Sequence, residues 1–254
     1  GGAGMLVLLA LAIVLCKWAS RPVQVAWEQQ HQFVADASHE LKTPLAVICA
    51  NSQILQRDAS IPEGSRRWVE STAEEAGHMK GLVEDLLTLA RADEAAAGTT
   101  EDALRHDEVD LSSVVDEAAL EFDAVAFERG YSIDSEVAGD IVVRGDAGQL
   151  GRVVRTLLDN ATKYAERNSP VRVRLTQTNG HAQLTVANRG PMIKPEDLEH
   201  LFDRFYRTDK ARSRQETGGY GLGLAIAKST VEAHGGKIWA TSDAAEGTCF
   251  HVTL

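Results

Sequence analysis

Residues Ala37–Leu45 read ASHELKTPL, and the helical pattern around them is the starting point for the fold. At about 100° per residue on an α-helix, placing His39 at 0° puts a set of apolar side chains at about 160–240°. These side chains are Val34, Ala37, Leu41, Leu45, Ile48 and Leu55. His39 therefore points away from a buried apolar stripe and towards solvent.

The neighbours of His39 favour chemistry over the alternative, an ordinary solvated histidine. Glu40 can accept the Nδ1 proton and leave Nε2 with a free lone pair for attack on phosphorus. Thr43 lies one turn along the same face, where its hydroxyl could orient a water onto a phosphorylated imidazole. Pro44 removes one helix hydrogen bond and bends the helix just beyond the site.

Residues 22–92 show helical periodicity twice, and the two arms are separated by Ala59–Gly64, which carries a proline and a glycine. The second arm repeats apolar residues at three/four spacing from Trp68 to Ala90. Two helices with one apolar stripe each cannot bury those stripes alone. The pattern therefore predicts a helical hairpin that forms a homodimeric four-helix bundle. Residues 93–109 are acidic and rich in small residues, which predicts a linker.

From residue 110 to 254 the pattern alternates between helices and strands. Helices are predicted at Leu111–Arg129, at Asp146–Arg167, where Asp146 and Gln149 form a capping box, and at Leu222–His234. Strands are predicted at Tyr131–Val137, Ile141–Arg144, Val171–Thr178, Ala182–Asn188, Lys237–Thr241 and Thr248–Thr253. Several helices with a mixed sheet indicate a two-layer α/β sandwich.

Two segments of this second region suit a nucleotide. Asn160 sits at the edge of an apolar helix face beside Lys163 and Tyr164; its carboxamide oxygen can coordinate Mg²⁺, and Lys163 can meet phosphate charge. Gly218–Leu224 reads GGYGLGL and opens a helix, so its amides can approach phosphates at the positive helix end. The alternatives are an ordinary polar surface for the first segment and a flexible turn for the second.

Together these segments resemble the motifs of bacterial two-component sensor histidine kinases. Ala37–Leu45 is similar to the phospho-acceptor box, and Leu157–Tyr164 to the asparagine box. Leu201–Arg207 and Gly218–Leu224 resemble the phenylalanine box and the second glycine box, which flank an ATP lid. The resemblance extends from about Gln29 to the last residue. It implies a dimerisation and histidine phosphotransfer hairpin followed by a GHKL-type ATP-binding catalytic domain.

The resemblance also implies residue roles. His39 is the phosphorylated residue, Glu40 its base, and Thr43 the residue that positions water for phosphatase activity. Phe202 and Phe205 are expected to anchor the lid by packing. ATP and Mg²⁺ are the implied cofactors, with Asn160 as the metal ligand. The implied nucleotide-binding residues are Asn160, Lys163, Tyr164, Asn188, Gly190, Gly219, Gly221, Leu222, Gly223 and Leu224.

Three positions depart from the family's pattern. Thr156 stands where relatives commonly have a second asparagine. Asn188 replaces the aspartate that reads the adenine amine, and Met192 replaces a second glycine after Gly190. Asparagine keeps an acceptor for that amine but loses the charge, so we expect adenine recognition to be retained and weaker.

The first residues predict a membrane connection. Met5–Cys16 is an unbroken apolar run of 12 residues, followed by Lys17, Trp18 and Arg21. A full span needs about 20 apolar residues, so residues 1–21 are interpreted as the cytoplasmic end of a transmembrane helix, with a signal peptide or a core helix as alternatives. The cations that follow the run predict a kinase body on the cytoplasmic side of the cell membrane.

These observations predict an ATP:protein-histidine phosphotransferase that passes its phosphoryl group to an aspartate of a response regulator receiver domain. The net charge of −11 excludes direct nucleic-acid binding, which needs clustered cations. One alternative is another ATPase with the same sandwich, such as the chaperone or mismatch-repair relatives. The other is a non-catalytic or phosphatase-biased module, which the departures at Thr156, Asn188 and Met192 motivate.

Overall fold

The computed structural model describes residues 41–58, 60–96, 107–128, 130–208 and 220–254. The chain divides into two compact units, residues 1–90 and 91–254. The predicted membrane segment at residues 1–21, together with His39 and Glu40, lies outside the described residues. Among the helices that the structure does describe, none is both long enough and apolar enough to cross a membrane.

The first unit is the predicted helical hairpin. Helix α1 occupies residues 41–57, and helix α2 runs from Glu63 to Ala96. In the turn between them the carboxylate of Asp58 accepts hydrogen bonds from the hydroxyl and the backbone N–H of Ser60, at 2.6 and 2.8 Å. These bonds hold the pKa of Asp58 below its usual value. Arg66 donates to the Gln56 carbonyl at 3.0 Å, which ties the start of α2 to the end of α1.

Among its described residues, the hairpin forms one small apolar cluster, Leu45 with Val83 and Leu87, and it also buries Ala76, Leu89 and Ala90. Much of the predicted stripe stays exposed, including Leu41 at 48% and Trp68 at 64% of their surface. Further exposed apolar side chains on the two helices are Val47, Ile48, Ile54, Leu55 and Met79. One hairpin therefore leaves apolar surface that a further partner could cover.

The second unit is the predicted two-layer α/β sandwich. Its strands are β1 (Asp107–Asp110), β2 (Ser132–Val137), β3 (Val142–Gly145), β4 (Pro170–Thr178), β5 (His181–Asn188), β6 (Lys237–Asp243) and β7 (Gly247–Thr253). Its helices are α3 (Leu111–Glu128), α4 (Ala147–Tyr164), α5 (Pro195–His200) and α6 (Gly223–Ala233). A five-stranded sheet has the order β2-β4-β5-β7-β6, in which only the β2–β4 pair is parallel. Strands β1 and β3 form a separate antiparallel ribbon.

The core of this unit lies between one face of the sheet and helices α3, α4 and α6. On β4, Val171, Val173 and Leu175 are buried while Arg172 and Arg174 lie on the opposite face, as the two-residue repeat of a strand requires. Helix α4 contributes fully buried side chains such as Leu157, each of which stabilises the fold by roughly 1.5–3 kcal/mol. This buried face fixes α4, and with it the polar residues along its edge.

Both long helices at the start of this unit are held by side-chain caps. The carboxylate of Asp110 accepts from the hydroxyl and the N–H of Ser113, and these bonds lower the pKa of Asp110. Asp146 caps α4 by accepting from the N–H of Gln149 at 2.9 Å. The predicted capping box is wrong in its second half, because the Asp146 N–H donates instead to Nε2 of His234, at 3.1 Å.

The structure differs from the prediction in three other places. Helix α2 continues to Ala96 and β1 begins at Asp107, so both ends of the predicted 93–109 linker have regular structure. Helix α4 ends at Tyr164 rather than near Arg167, because the next residues leave the helix and the Glu166 N–H donates to the Arg189 carbonyl. Helix α5 was not predicted.

Candidate nucleotide-binding site

Three elements of the second unit approach one another around the residues that the motifs single out. The end of α4 lies against the loop after β5. Glycine has no Cβ, and a Cβ atom added to Gly190 would lie only 2.2 Å from the Tyr164 carbonyl oxygen. The first turn of α6 meets the middle of α4, because a Cβ on Gly223 would lie 3.3 Å from Cγ2 of Thr156. The structure therefore brings Asn160, Asn188 and the α6 turn into one neighbourhood.

Asn160 is half-buried on α4, and its carboxamide has a fixed orientation. Its Nδ2 donates to the Thr156 carbonyl one turn earlier, at 2.8 Å. This bond uses a donor of the amide and leaves Oδ1 as an acceptor that can bind a hard cation. The Thr156 carbonyl thus orients the Asn160 amide, and the Thr156 methyl group lies next to Gly223. A threonine there fills space next to α6 but supplies no second carboxamide.

The Lys163 side chain is held by a neighbouring carboxylate on α4. Its ammonium forms an ion pair with Asp159 one turn earlier, with Nζ and Oδ2 2.6 Å apart. About a quarter of the Lys163 side chain and under half of the Asp159 side chain are exposed, at 26% and 44%. An i,i+4 pair of this kind stabilises a helix by a few tenths of a kcal/mol, about 0.2–0.5. A phosphate could therefore compete with Asp159 for the lysine at small cost.

Asn188 ends β5 and is buried, with only 3% of its surface exposed. Its carboxamide forms no hydrogen bond with the described residues, and because none of their fully buried side-chain polar atoms lacks a partner, its polar atoms keep some contact with solvent. Two glycines shape its surroundings: a Cβ on Gly190 would lie 3.1 Å from Nδ2 of Asn188, and one on Gly247, where φ is +82°, would lie 2.3 Å from the Asn188 carbonyl oxygen. The glycines let the backbone close around a polar group whose bonding capacity is unused.

The N-terminal turn of α6 begins with Gly221, whose φ of +74° is a left-handed conformation that glycine adopts without strain. Leu222 occupies the N-cap position with no side-chain hydrogen bond and is 1% exposed. Gly223 and Leu224 follow as the first residues of the helix. Since the N-cap side chain does not bond the first N–H groups of α6, these groups are suited to bind an anion.

Not every predicted site residue can be placed. Gly219, His39 and Glu40 lie outside the described residues, and of the phospho-acceptor box only Leu41 to Leu45 is described. Thr43 lies on α1 with its side chain exposed to solvent. Its predicted role stays a prediction.

A set of contacts next to α6 could not be predicted from the motifs. The Tyr206 hydroxyl donates to Oδ1 of Asp197 on α5 at 2.5 Å, and the Phe205 N–H donates to the Gly221 carbonyl at 3.0 Å. Phe205 itself has a φ of +61° and is 58% exposed, whereas Phe202 packs against the core. Phe202 thus packs on the core of the sandwich and Phe205 does not; anchoring of the lid, of which residues 209–219 lie outside the described residues, stays a prediction. A hydrogen bond between two side chains that are nine residues apart leaves no periodic signal in the sequence.

The described cysteines, Cys49 and Cys249, carry free thiols. Cys249 is buried on β7, opposite Ala187 of β5, and burial is the main cause that raises the pKa of its thiol. A thiol that stays protonated at neutral pH is a poor nucleophile. The neighbourhood of Asn188 therefore offers binding groups rather than thiol chemistry.

Comparison with known protein families gives two matches in the order of the two units. Residues 29–95 match the His Kinase A (phospho-acceptor) domain. Residues 145–254 match the histidine kinase-, DNA gyrase B- and HSP90-like ATPase family. The phospho-acceptor match includes the segment that contains His39, and the ATPase match includes Asn160, Asn188 and the α6 turn.

Similar proteins and structures agree with these matches. Sensor protein DltS of Streptococcus agalactiae is 33% identical over 235 residues, which are 92% of this chain and 57% of DltS. The mycobacterial sensor histidine kinase MprB is 34% identical with a TM-score of 0.51, over 59% of this chain and 96% of that structure. Full-length ShkA in complex with AMPPNP is 27% identical with a TM-score of 0.73, over 88% of this chain and 45% of that chain. The chain spans about half the length of the curated relatives it matches.

Proposed function

Because this chain belongs to the sensor histidine kinases of two-component systems, we propose that it transfers the γ-phosphoryl group of ATP to His39 and then to an aspartate of a response regulator receiver domain. The observation that carries the proposal is the pair of carboxamides next to α6. Asn160 has its Oδ1 left free by the bond to Thr156, and buried Asn188 has no described partner. Both groups are suited to a ligand that is polar at each end.

An adenine nucleotide fits this pair. The Asn188 amide can accept a hydrogen bond from the adenine amine, and the glycines beside it allow the close backbone approach that surrounds this amide. The N–H groups at the start of α6 can bind phosphate oxygens, and Lys163 can exchange Asp159 for a phosphate. The complex of the similar protein ShkA with AMPPNP supports this assignment.

Mg²⁺ fits the same site, and Asn160 would hold it through Oδ1. The ion supplies neutralisation of phosphate charge. A carboxamide is a neutral ligand, so the phosphates and water would complete the coordination shell. No cluster of three or more His, Cys, Asp or Glu side chains that could hold a metal occurs in the described segments. The chain thus offers a shared metal–nucleotide site rather than an independent metal cage.

The chemistry at His39 follows from its neighbours in the sequence. Nε2 attacks the γ-phosphorus, the bond from that phosphorus to the β–γ bridging oxygen breaks, and ADP leaves with the bond's electron pair. Glu40 accepts the Nδ1 proton of the imidazole and so keeps the nucleophilic lone pair on Nε2. We assign Thr43 to the reverse direction of signalling, in which its hydroxyl orients a water for removal of phosphate from the partner.

We also propose that two copies of the chain assemble through the hairpin. Among the described residues its apolar cluster consists of Leu45, Val83 and Leu87, while apolar side chains such as Leu41, Ile54 and Trp68 remain exposed in a single copy. Four helices with facing stripes would bury this surface. For the N-terminal region we propose a membrane helix that ends near Arg21, because the apolar run Met5–Cys16 is followed by interfacial Trp18 and cations.

One alternative is a phosphatase-biased or non-catalytic module, and specific observations favour it. Thr156 provides no second carboxamide, Asn188 carries no charge, and Lys163 is already paired with Asp159. Such a chain would bind nucleotide weakly and give little phosphohistidine. The chaperone-like and mismatch-repair-like ATPases do not account for the phospho-acceptor match over residues 29–95.

An autophosphorylation assay with γ-labelled ATP tests the proposal. The parent chain should incorporate label in an acid-labile, base-stable linkage, as a phosphoimidazole does. His39→Gln should abolish incorporation without changing ATP affinity, whereas the matched control His78→Gln, an exposed histidine on α2, should incorporate label normally. Acid-stable label, or label that persists in His39→Gln, would refute the assignment of His39. A parent that binds ATP but takes up no label would support the non-catalytic alternative.

A further inference from the structure

Helix α5 is fastened to the sheet beside the proposed adenine site. The Ile193 N–H, just before the helix, donates to Oγ of Ser242 on β6 at 3.0 Å. The Ser242 hydroxyl lies 3.1 Å from the hydroxyl of Thr248 on β7, and Thr248 pairs in register with Asn188. Thr248 is 5% exposed. Two hydrogen bonds thus connect the segment before α5, through Ser242, to buried Thr248.

From α5, a second set of contacts reaches the first turn of α6. Asp197 accepts the hydrogen bond of the Tyr206 hydroxyl at 2.5 Å, and the Tyr206 ring also packs beside His200, with ring centroids 5.6 Å apart. The residue before it, Phe205, donates its N–H to the Gly221 carbonyl at 3.0 Å. Asp197 is therefore connected to the α6 turn by a side-chain bond, one peptide unit and a backbone bond.

The two backbone segments that are joined by the Phe205–Gly221 hydrogen bond lie in close contact. Both residues are left-handed, with φ of +61° and +74°, and a Cβ on Gly221 would lie 2.7 Å from the Tyr206 carbonyl oxygen. A left-handed phenylalanine costs of order 1 kcal/mol, and it persists only where the surroundings enforce it. The position of Tyr206 thus determines where Gly221 can lie.

We propose that Asp197 is a positioning residue for the phosphates: by holding the Tyr206 hydroxyl, it fixes the Gly221–Leu224 turn, whose N–H groups face the triphosphate. The inference rests on the proposed ATP site. The contacts from Asp197 lead to the turn that would hold the phosphates, whereas Asn188, the proposed adenine contact, lies at the end of β5. Loss of the bond should therefore weaken binding of the phosphates and leave adenine binding unchanged.

Calorimetry on the 254-residue chain, with Mg-ATP and with adenosine as separate probes, tests this difference. Tyr206→Phe and Asp197→Ala should each weaken Mg-ATP binding about tenfold, as expected for loss of a hydrogen bond to a charged group. Adenosine, which lacks phosphates, should bind each variant within about twofold of the parent. The double variant should be no weaker than the weaker single variant, because both changes remove one interaction.

Matched controls come from side chains with no partner among the described residues. Tyr131→Phe and Asp134→Ala make the same chemical changes and should leave both affinities unchanged. Thermal unfolding of every variant verifies that binding is measured on folded protein. Equal weakening for Mg-ATP and adenosine would show general damage to the site and overturn the inference, as would unchanged Mg-ATP affinity or additive effects in the double variant. A parent that fails to bind Mg-ATP would instead refute the proposed function.

Discussion

Replacing Asn188 by aspartate tests how this site reads adenine. The two side chains have nearly the same size, so the change puts a negative charge at a position that is 3% exposed without repacking its surroundings. A hydrogen bond to a charged acceptor contributes about 1.5–3 kcal/mol, against about 1 kcal/mol for a neutral pair. Asn188→Asp should therefore tighten ATP binding by roughly 1 kcal/mol, or about fivefold to tenfold.

The same burial predicts a penalty in the absence of nucleotide. No described residue donates a hydrogen bond to the Asn188 side chain, so the new carboxylate would be partly desolvated without a compensating hydrogen bond. At neutral pH the unliganded variant should lose about 1–3 kcal/mol of unfolding free energy. Burial raises the folded-state pKa of this carboxyl above its unfolded value, so the loss develops as pH rises through that range. Below both pKa values the variant should regain the stability of the parent.

Calorimetry and thermal unfolding with and without ATP measure both effects, and Asn188→Ala serves as the comparison. The alanine variant should bind ATP more weakly than the parent and show no pH-dependent loss of stability. If neither substitution moves the ATP affinity while the protein remains folded, Asn188 only ends β5 and does not contact adenine. A weaker affinity in the aspartate variant would show that its amide donates rather than accepts.

Three further predictions concern other parts of the chain. Thr43→Ala should keep autophosphorylation, because attack by the imidazole does not need the hydroxyl, and should lose phosphatase activity towards a phosphorylated response regulator; unchanged dephosphorylation would contradict the role. Asn160→Ala should remove the Mg²⁺ dependence of ATP binding, measured by titration with and without Mg²⁺, and equal dependence in both proteins would place the ligand elsewhere. Gly145→Ala should lower the unfolding free energy by about 1–3 kcal/mol, because its Cβ would lie 2.3 Å from Cδ2 of His234. The pair Gly145→Ala with His234→Ala should be no less stable than His234→Ala alone, and an additive loss would show that the clash is not with this ring.

The elements that the sequence predicted well are those in which one physical pattern dominates. Helix α4 has a continuous apolar face and a capping aspartate, and β4 and β5 alternate around the Asn179-Gly180 turn. Strand β1 was missed because its sequence, DEVD, has three acidic residues and a single buried valine. Its stability comes from pairing with β3, which is a tertiary contact that periodicity does not report.

The site was predicted as a set of residue types, and its contacts were not. The motifs pointed to Asn160 and Lys163, but the lysine's pairing with Asp159 depends on side-chain choices between alternatives of similar energy. The left-handed conformation of Phe205 is enforced by Gly221 across a gap in sequence, and phenylalanine has no intrinsic preference for it. Local propensity therefore identifies which groups are available, whereas packing between distant segments decides how they are used.

The position of β7 in the sheet has a consequence for the order in which the chain folds during synthesis. β7 lies between β5 and β6, yet it is made after both of them. Until β7 emerges from the ribosome, β6 has no strand partner in this sheet and the inner edge of β5 is open, so both can pair with foreign strands. A nascent chain stalled before Gly247 should therefore depend on chaperones, and release from that dependence should coincide with insertion of the β7 strand.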